Sequence, residues 1–499
     1  MSVFAGIDLG TSGIKVALVD EEGDCIASAA RASPVDIPRP GWSQQDPERW
    51  WALTLDIFDD LAARHSHLLG RLEAISLSGH MLGQVLIDAE DRPTTPCILW
   101  NDQRAIAECA ELLALVPDIG HRTNGQPDPG LTAPKLLWLA KHAPGALESA
   151  EMLLMPKDYV RLKLTGERFS EVTDASGTMM VDCATGVWDK ELVAAAGWEM
   201  GRLPPLLSSH ESAGTLLPAL SRRWCCPKDV TVAAGSGDNY AGALGSGAAR
   251  PGRAVLSIGT SGVLSTVDSA FHPAPERALL TTPHAVRGTF LSMAVIMSAT
   301  QSLDWIGGVM GRPPAELAYL AEKRIAEAGI ADRPVSRPSI TGVRTPHSRP
   351  DASAWFGGLT AGHDAADLAY AVLEGVAFQF YDGMQAQVAT GVPVEEITAV
   401  GGGTRSTFWV TLIATLFDRP IAIPKDGGIA ACLGAARLAR AAAYPLERKA
   451  ILERLPPMIA IIEPEESQRA AITERHAAFR TLPFTFDTAG FRSTPPARL

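Results

Sequence analysis

The residues best suited to handling phosphate sit in two loops of identical composition. Gly10-Thr11-Ser12-Gly13 and Gly259-Thr260-Ser261-Gly262 each separate two short apolar runs. Glycines permit a sharp turn, the N–H groups exposed there form a nest for anions, and Thr and Ser add hydroxyl donors. Either loop alone reads equally as an ordinary hairpin turn; its repetition in matching surroundings favours phosphate. Asp8, two residues before the first loop, offers a carboxylate to a phosphate-bound Mg²⁺, directly or through water. A third segment, Gly235-Ser236-Gly237-Asp238-Asn239, leads a glycine-rich turn into a carboxylate. Transfer of a phosphoryl group to an alcohol needs a base at the hydroxyl and in-line placement below the phosphate. Asp238 either serves that purpose or simply caps a helix. The fourth segment, Gly401-Gly402-Gly403 with Arg405 and Ser406 behind it, is a nucleoside seat or a flexible loop, since glycines let a flat ligand lie against the backbone.

Strand–turn and strand–helix junctions must position these residues. Runs 3–9 and 14–20 flank the first loop as a hairpin, with a third strand over 25–30. Asp46 is a plausible helix cap with Pro47 at the first helical position, and the pattern runs to His65. Strands are expected at 74–78, 84–88 and 230–234. Helices are expected at 103–115, 132–142, 157–164 and from Asp238 to about Gly247. After Arg250-Pro251-Gly252-Arg253 the pattern restarts with strands 254–258 and 263–267 around the second loop. IDLGTSGIKVALV and LSIGTSGVLSTVD align without a gap, which points to two related domains rather than a solenoid. A long helix over 364–389, a strand at 397–400, a helix at 407–417, a strand at 420–424 and a helix at 428–443 complete the second half. A further helix is expected near 465–480, with a loose last ten residues.

Composition narrows the function classes. At 499 residues the chain is long enough for two or three domains with ordinary cores. A net charge of −12 without a basic stripe speaks against a nucleic-acid partner. Seven cysteines, an odd number without any C-x-x-C pair, fit reduced thiols in a cytoplasmic protein. The N-terminus lacks a basic region before an apolar stretch, and no window of about 18 apolar residues occurs, so neither a leader nor a membrane partner is expected. No Gly-Lys dipeptide exists, which excludes a Walker A loop.

The same segments resemble the FGGY family of carbohydrate kinases, within the actin-like ATPase superfamily. Asp8-Leu9-Gly10-Thr11 and Gly259-Thr260-Ser261-Gly262 are similar to its two phosphate motifs, and Gly401–Ser406 followed by Trp409 to its adenosine motif. The resemblance is longest to the xylulokinase branch. It takes in Trp42–Pro47 with Trp50-Trp51, Leu99–Arg104, Thr132–Trp138, Pro156–Tyr159, Arg344–His347 and Gly434–Ala436, in uninterrupted order over roughly residues 3–440.

This likeness implies an α/β fold of two actin-like (ribonuclease H-like) domains flanking a nucleotide and sugar cleft. A sugar-binding domain would span 1–247, an ATP-binding domain 253–440, and an extension over 441–499 would pack on the latter. It implies ATP-dependent phosphorylation of a sugar, D-xylulose first among them, with Asp238 as the base and Asp8 helping to hold Mg²⁺. Thr11, Ser12, Gly13 and Lys15, with Gly259, Thr260 and Ser261, would take the phosphates. Gly401, Gly402, Gly403, Arg405 and Ser406 would take the adenosine. Trp100, Asn101, Asp102 and Asn239 would surround the sugar with Asp238. Homodimers are common in the family, although no residue here points to one.

Two departures from the xylulokinase pattern stand out. Gly79-His80-Met81-Leu82-Gly83 replaces G-Q-M-H-G, so the sugar-touching Met-His pair becomes Met81-Leu82, with a histidine displaced to His80. Leu82 cannot hydrogen-bond a hydroxyl, and loss of a buried polar contact can change the preferred substrate. Thr341-Gly342-Val343-Arg344 lacks the carboxylate of S-G-E-R. Another ketopentose, a polyol, or a non-catalytic nucleotide-binding module remain alternatives.

Overall fold

The computed structural model describes residues 2–123 and 125–485; the expected loose end of the tail lies outside the described residues. Two mixed sheets organise the chain. In the first half, β1 (Val3–Gly10) and β2 (Gly13–Val19) form the hairpin around the first loop, and β3 (Cys25–Ala32) extends it. β4 (Leu72–Gly79) lies parallel to β1 on its other side, and β5 (Thr231–Ala233) lies parallel to β4. In the second half, β6 (Arg253–Ile258) and β7 (Gly262–Asp268) make the corresponding hairpin, β8 (Phe290–Ile296) extends it, and β9 (Glu396–Val400) and β10 (Ile421–Pro424) add parallel strands. The repeat of sheet order confirms the internal duplication read from the two aligned segments.

The helices follow their local signals. α1 (Pro47–Leu69) starts where Asp46 accepts a hydrogen bond from the Glu48 N–H. Helical geometry breaks at His65, the expected end, yet the helix resumes to Leu69, whose buried side chain joins the first core. α2 (Pro156–Thr165) ends at Gly166 in the left-handed conformation. α3 (Asp238–Gly245) follows β5 through the Gly235 turn. In the second half, α4 (Thr300–Met310) and α5 (Pro314–Ala328) precede α6 (Ala365–Ala389), the long central helix, which opens with a reciprocal capping box of Asp364 and Asp367. α7 (Thr407–Phe417) and α8 (Ala430–Ala443) complete that half, and α9 (Arg469–Thr481) lays Ile472 and Phe479 into its core. Among the described residues, no helix is long and apolar enough to cross a membrane.

α8 belongs to the second half in sequence but packs on β1 and β4 of the first, and it crosses α3. Glycines permit that crossing. A Cβ on Gly245 would lie 1.9 Å from the Ala430 carbonyl oxygen, and one on Gly434 would lie 1.9 Å from that of Ala241. The two helices therefore touch backbone to backbone where the halves meet, below the junctions that carry the loops.

The hairpins differ in one respect that the gapless alignment does not show. In the first, Gly10 pairs with Gly13, leaving a two-residue turn of Thr11 and Ser12. In the second, Ile258 pairs with Gly262, leaving a three-residue turn of Gly259, Thr260 and Ser261. The cause is external support. The Thr300 N–H donates to the Gly259 carbonyl, and the Ala299 and Gln301 N–H groups donate to that of Thr260. The start of α4 thus draws the second turn open by one residue.

Candidate functional site

Asp8 stands near the end of β1 and accepts a hydrogen bond from Ser78 Oγ on β4 at 3.0 Å. Ser78 is in turn the register partner of Ser236, and Gly79 that of Gly237. The sheet thus carries the chain from Asp8 across β4 to the threshold of Asp238. Burial raises the Asp8 carboxyl above its ordinary range, partly offset by the Ser78 hydrogen bond and by Lys15, its cross-strand partner.

Asp238 is the first residue of α3, and Gly237 occupies the cap position. Asp238 is therefore not the helix cap. Its carboxylate engages local backbone instead: Oδ1 accepts from the Asn239 N–H, at 2.7 Å. The side chain is half-buried, and desolvation, reinforced by the negative charge of Asp8, pushes its pKa up to about 7. A carboxylate with its proton affinity raised toward neutrality is suited to take a proton from an alcohol.

The loops present Ser12, Thr260 and Ser261 to solvent, with Thr11 and Gly259 half-exposed. Trp100, 49% exposed, spans from its own segment to the first loop and donates its indole N–H to Thr11 Oγ1 at 3.0 Å. Lys15 Nζ reaches the Gly428 carbonyl at 3.5 Å, so its ammonium lies between the halves. Gly401 adopts φ +98°, and a Cβ there would lie 2.7 Å from the Ile258 carbonyl oxygen; a Cβ on Gly403 would meet the Ile258 side chain at 2.3 Å. The triple glycine is therefore a close-packed turn against β6, immediately beside the second loop, and not a loose tether. Arg405 is exposed, and Ser406 Oγ accepts from the Trp409 N–H at the start of α7.

Beside Gly402 and Gly403 lies a cavity of about 660 Å³, walled also by Asp304 of α4, Tyr319 and Glu322 of α5, and Phe408. Asp304, Tyr319 and Glu322 escaped the sequence reading: they belong to amphipathic helices with no motif of their own, and only the fold brings them to the Gly401 turn, whereas Phe408 lies within the segment read as the adenosine seat.

Three of the residues placed around the sugar stand differently from expectation. His80 is 1% exposed and packs edge-on against Trp50, with ring centroids 5.1 Å apart. Neither ring nitrogen has a hydrogen-bond partner, and burial, with Lys135 nearby, holds its pKa down to about 3. A neutral ring sealed behind the surface does not touch a ligand in the cleft, so His80 does not stand in for the missing histidine. Asp102 is fully buried and saturated: Arg104 grips both oxygens and the Ser43 N–H donates at 2.6 Å. Arg104 itself lies over Trp42, 3.8 Å from the ring centroid. Asp102 therefore braces the Trp100 segment from behind. Met81 is 7% exposed, and its sulfur would lie 2.6 Å from a Cβ on Gly237. Leu82 is half-buried at φ +74°, its carbonyl accepting from Thr132 Oγ1 and Lys135 Nζ. Asn101 and Asn239 are exposed.

Comparison with known proteins fits this geometry. The family model "FGGY family of carbohydrate kinases, N-terminal domain" matches residues 3–245, and the corresponding C-terminal domain matches residues 254–443. The chain is 39% identical to a xylulose kinase of Escherichia coli (strain K12) over 482 residues, covering 96% of this chain and 98% of that one. It superposes on the crystal structure of a "xyloylose kinase" from Brucella ovis with a TM-score of 0.92 at 39% identity, covering 96% and 98% of the two chains. The fold extends to the glycerol kinase of Plasmodium falciparum with ADP, at a TM-score of 0.87 and 21% identity, covering 97% of this chain and 99% of that one.

Proposed function

The chain belongs to the FGGY family of carbohydrate kinases, and from that premise we propose that it transfers the γ-phosphoryl group of ATP to D-xylulose, yielding D-xylulose 5-phosphate. The observation that carries the reading is Asp238: a carboxylate at the cleft, free of capping duty and raised toward neutral pH, just past the strand end that Ser78 and Gly79 of β4 link to Asp8 and the first phosphate loop.

Asp238 accepts the proton of the attacking sugar hydroxyl as the new O–P bond forms. The two Gly-Thr-Ser-Gly loops hold the phosphates from opposite halves, and ADP leaves from the second. Adenosine lies in the cavity beside Gly402 and Gly403, against Tyr319 and Phe408, with Glu322 and Asp304 at its polar edge. Asp8, beside the first loop at the end of β1, fits Mg²⁺ as an oxygen donor. Mg²⁺ in such sites is held by one or two carboxylates plus phosphate oxygens and water. Bound there, Mg²⁺ would neutralise charge on the β- and γ-phosphates. Trp100 links the halves of the reaction, facing the sugar while its indole holds Thr11.

The test is ADP release from ATP across a panel of ketoses and polyols. The highest kcat/KM should fall on D-xylulose. Leu82 supports a second reading, because its hydrocarbon side chain packs by Gly177 and offers a sugar no hydrogen bond. A clear preference for another ketopentose or a polyol would establish that reading, and stimulation by no sugar would remove both.

A further inference from the structure

Beneath the Gly235–Asp238 turn lies a group of fully buried ionisable side chains. Lys157, Asp158 and Arg161 of α2, together with Glu171 and Asp174, are all fully buried. Lys157 Nζ lies 2.6 Å from Asp158 and 3.4 Å from both Glu171 and Asp174. Arg161 bonds Asp158 at 2.7 Å, and Ser170 Oγ donates to the other Asp158 oxygen. Glu171 accepts from the Thr173 N–H, the Asp174 N–H, Ser209 Oγ and Thr173 Oγ1. A buried charge cluster of this kind is weak support for stability as such, because desolvation offsets the attraction. It gives instead a fixed geometry, since each member has few alternatives.

The cluster reaches the turn at two points. Arg161 donates to the Ala234 carbonyl at 3.0 Å. The hydroxyl of Thr173 donates to Glu171 Oε1 at 2.8 Å and accepts from the Gly237 N–H at 3.1 Å. Gly237 is the last peptide before Asp238, and the Asp238 carboxylate itself is bonded to local backbone N–H groups. The direction of that carboxylate is therefore set by the backbone below it.

We propose that Thr173, locked by Glu171 within this buried cluster, is a positioning residue that fixes the Gly237–Asp238 peptide and so aims the Asp238 carboxylate at the sugar hydroxyl. The proposal rests on the reading of Asp238 as the base. Misplacement of a reacting group by about 1 Å costs on the order of 10²-fold in rate. Thr173→Val keeps the side chain's shape and removes its hydroxyl. It should lower kcat about 10- to 100-fold while the KM values for ATP and sugar stay near wild type. Thr173→Ser should restore most of the loss. Should the valine variant fail to fold, Thr173→Ala against Thr173→Ser isolates the same hydroxyl, because both lack the methyl group. A merely structural hydroxyl would lower the melting temperature and leave kcat per folded molecule unchanged, which would overturn the proposal. Asp238→Asn separates the two ideas. An inactive Asp238→Asn beside a Thr173→Val of wild-type kcat overturns this inference alone. An active Asp238→Asn removes the base and the inference with it.

Discussion

In the first half the loop Gly10–Gly13 is bracketed by Asp8 and Lys15; at the aligned positions the second half has Ser257 and Leu264 around Gly259–Gly262. The contrast continues at the crossing helices. α3 opens with Gly237-Asp238, whereas Gly427-Gly428-Ile429 leads into α8. Two copies of one strand–loop–strand framework thus diverged in charge. The first gathered the ionisable groups, and the second kept a nearly neutral cradle whose turn is braced by the start of α4. The division suits phosphoryl transfer, in which positioning and electrostatics outweigh covalent chemistry. On the proposed reading, proton and metal handling would stay beside the sugar, while the second half would hold the nucleotide.

The largest break in this asymmetry is Asp238→Asn. Loss of a general base lowers kcat by about 10²–10⁴-fold, with ATP binding retained. The same substitution should stabilise the protein at alkaline pH. In the folded state Asp238 keeps its proton up to about pH 7, whereas in the unfolded chain it loses it near its ordinary value of about 4. Stability therefore falls as pH rises through that window, and the amide escapes the penalty. Melting curves at pH 8 should place the asparagine variant above wild type. A lower melting temperature would show that the desolvated carboxylate is compensated by groups that the geometry does not reveal.

Next in size is the exchange of Asp8 against its aligned partner. Asp8→Asn should lower activity about 10- to 100-fold at limiting Mg²⁺ and shift the Mg²⁺ titration to higher concentration, since one hard oxygen ligand is lost. Ser257→Ala should leave that titration in place. Equal responses from both variants would mean that the metal is shared between the halves.

The pH profile sharpens the same contrast. The carboxylate is the active form of Asp238, so kcat/KM should rise with pH through an inflection near 7. Part of that elevation comes from the Asp8 charge. In Asp8→Asn the inflection should move to lower pH, and an unmoved inflection would assign the whole shift to burial.

The parts of this arrangement legible in the sequence are those written in local chemistry. Glycine, threonine and serine between apolar strands marked both loops, and the gapless alignment marked the duplication. Asp46-Pro47 and Asp364 marked helix starts that the structure places where expected. Exposure was not legible. His80 and Asp102 sit in segments that read as binding chemistry, yet Trp50 seals one and Arg104 saturates the other, through contacts between residues remote in sequence or folded back on themselves. The register of the second turn was equally hidden, because the N–H groups that open it belong to residues 299–301. The adenosine walls and the cluster beneath Gly237 depend on packing alone.

The smallest expected effect concerns a side-chain bond that distinguishes the two threonines. Thr11 Oγ1 accepts the Trp100 indole N–H, while the aligned Thr260 stands exposed on its turn. Trp100→Phe keeps an aromatic face toward the sugar and removes only that donor. A neutral hydrogen bond at an accessible site contributes about 0.5–1.5 kcal/mol, so kcat/KM for the sugar should fall about two- to tenfold, by the same conversion. Thr11→Val should lose at least as much, since its hydroxyl also faces the phosphates, and Trp100→Phe added to it should cost little more, because the shared interaction is already gone. Thr260→Val combined with Trp100→Phe should instead be additive, as the second loop has no such link to the sugar side. Additivity in both pairs would dissolve the coupling between sugar and phosphate that separates the first half from the second.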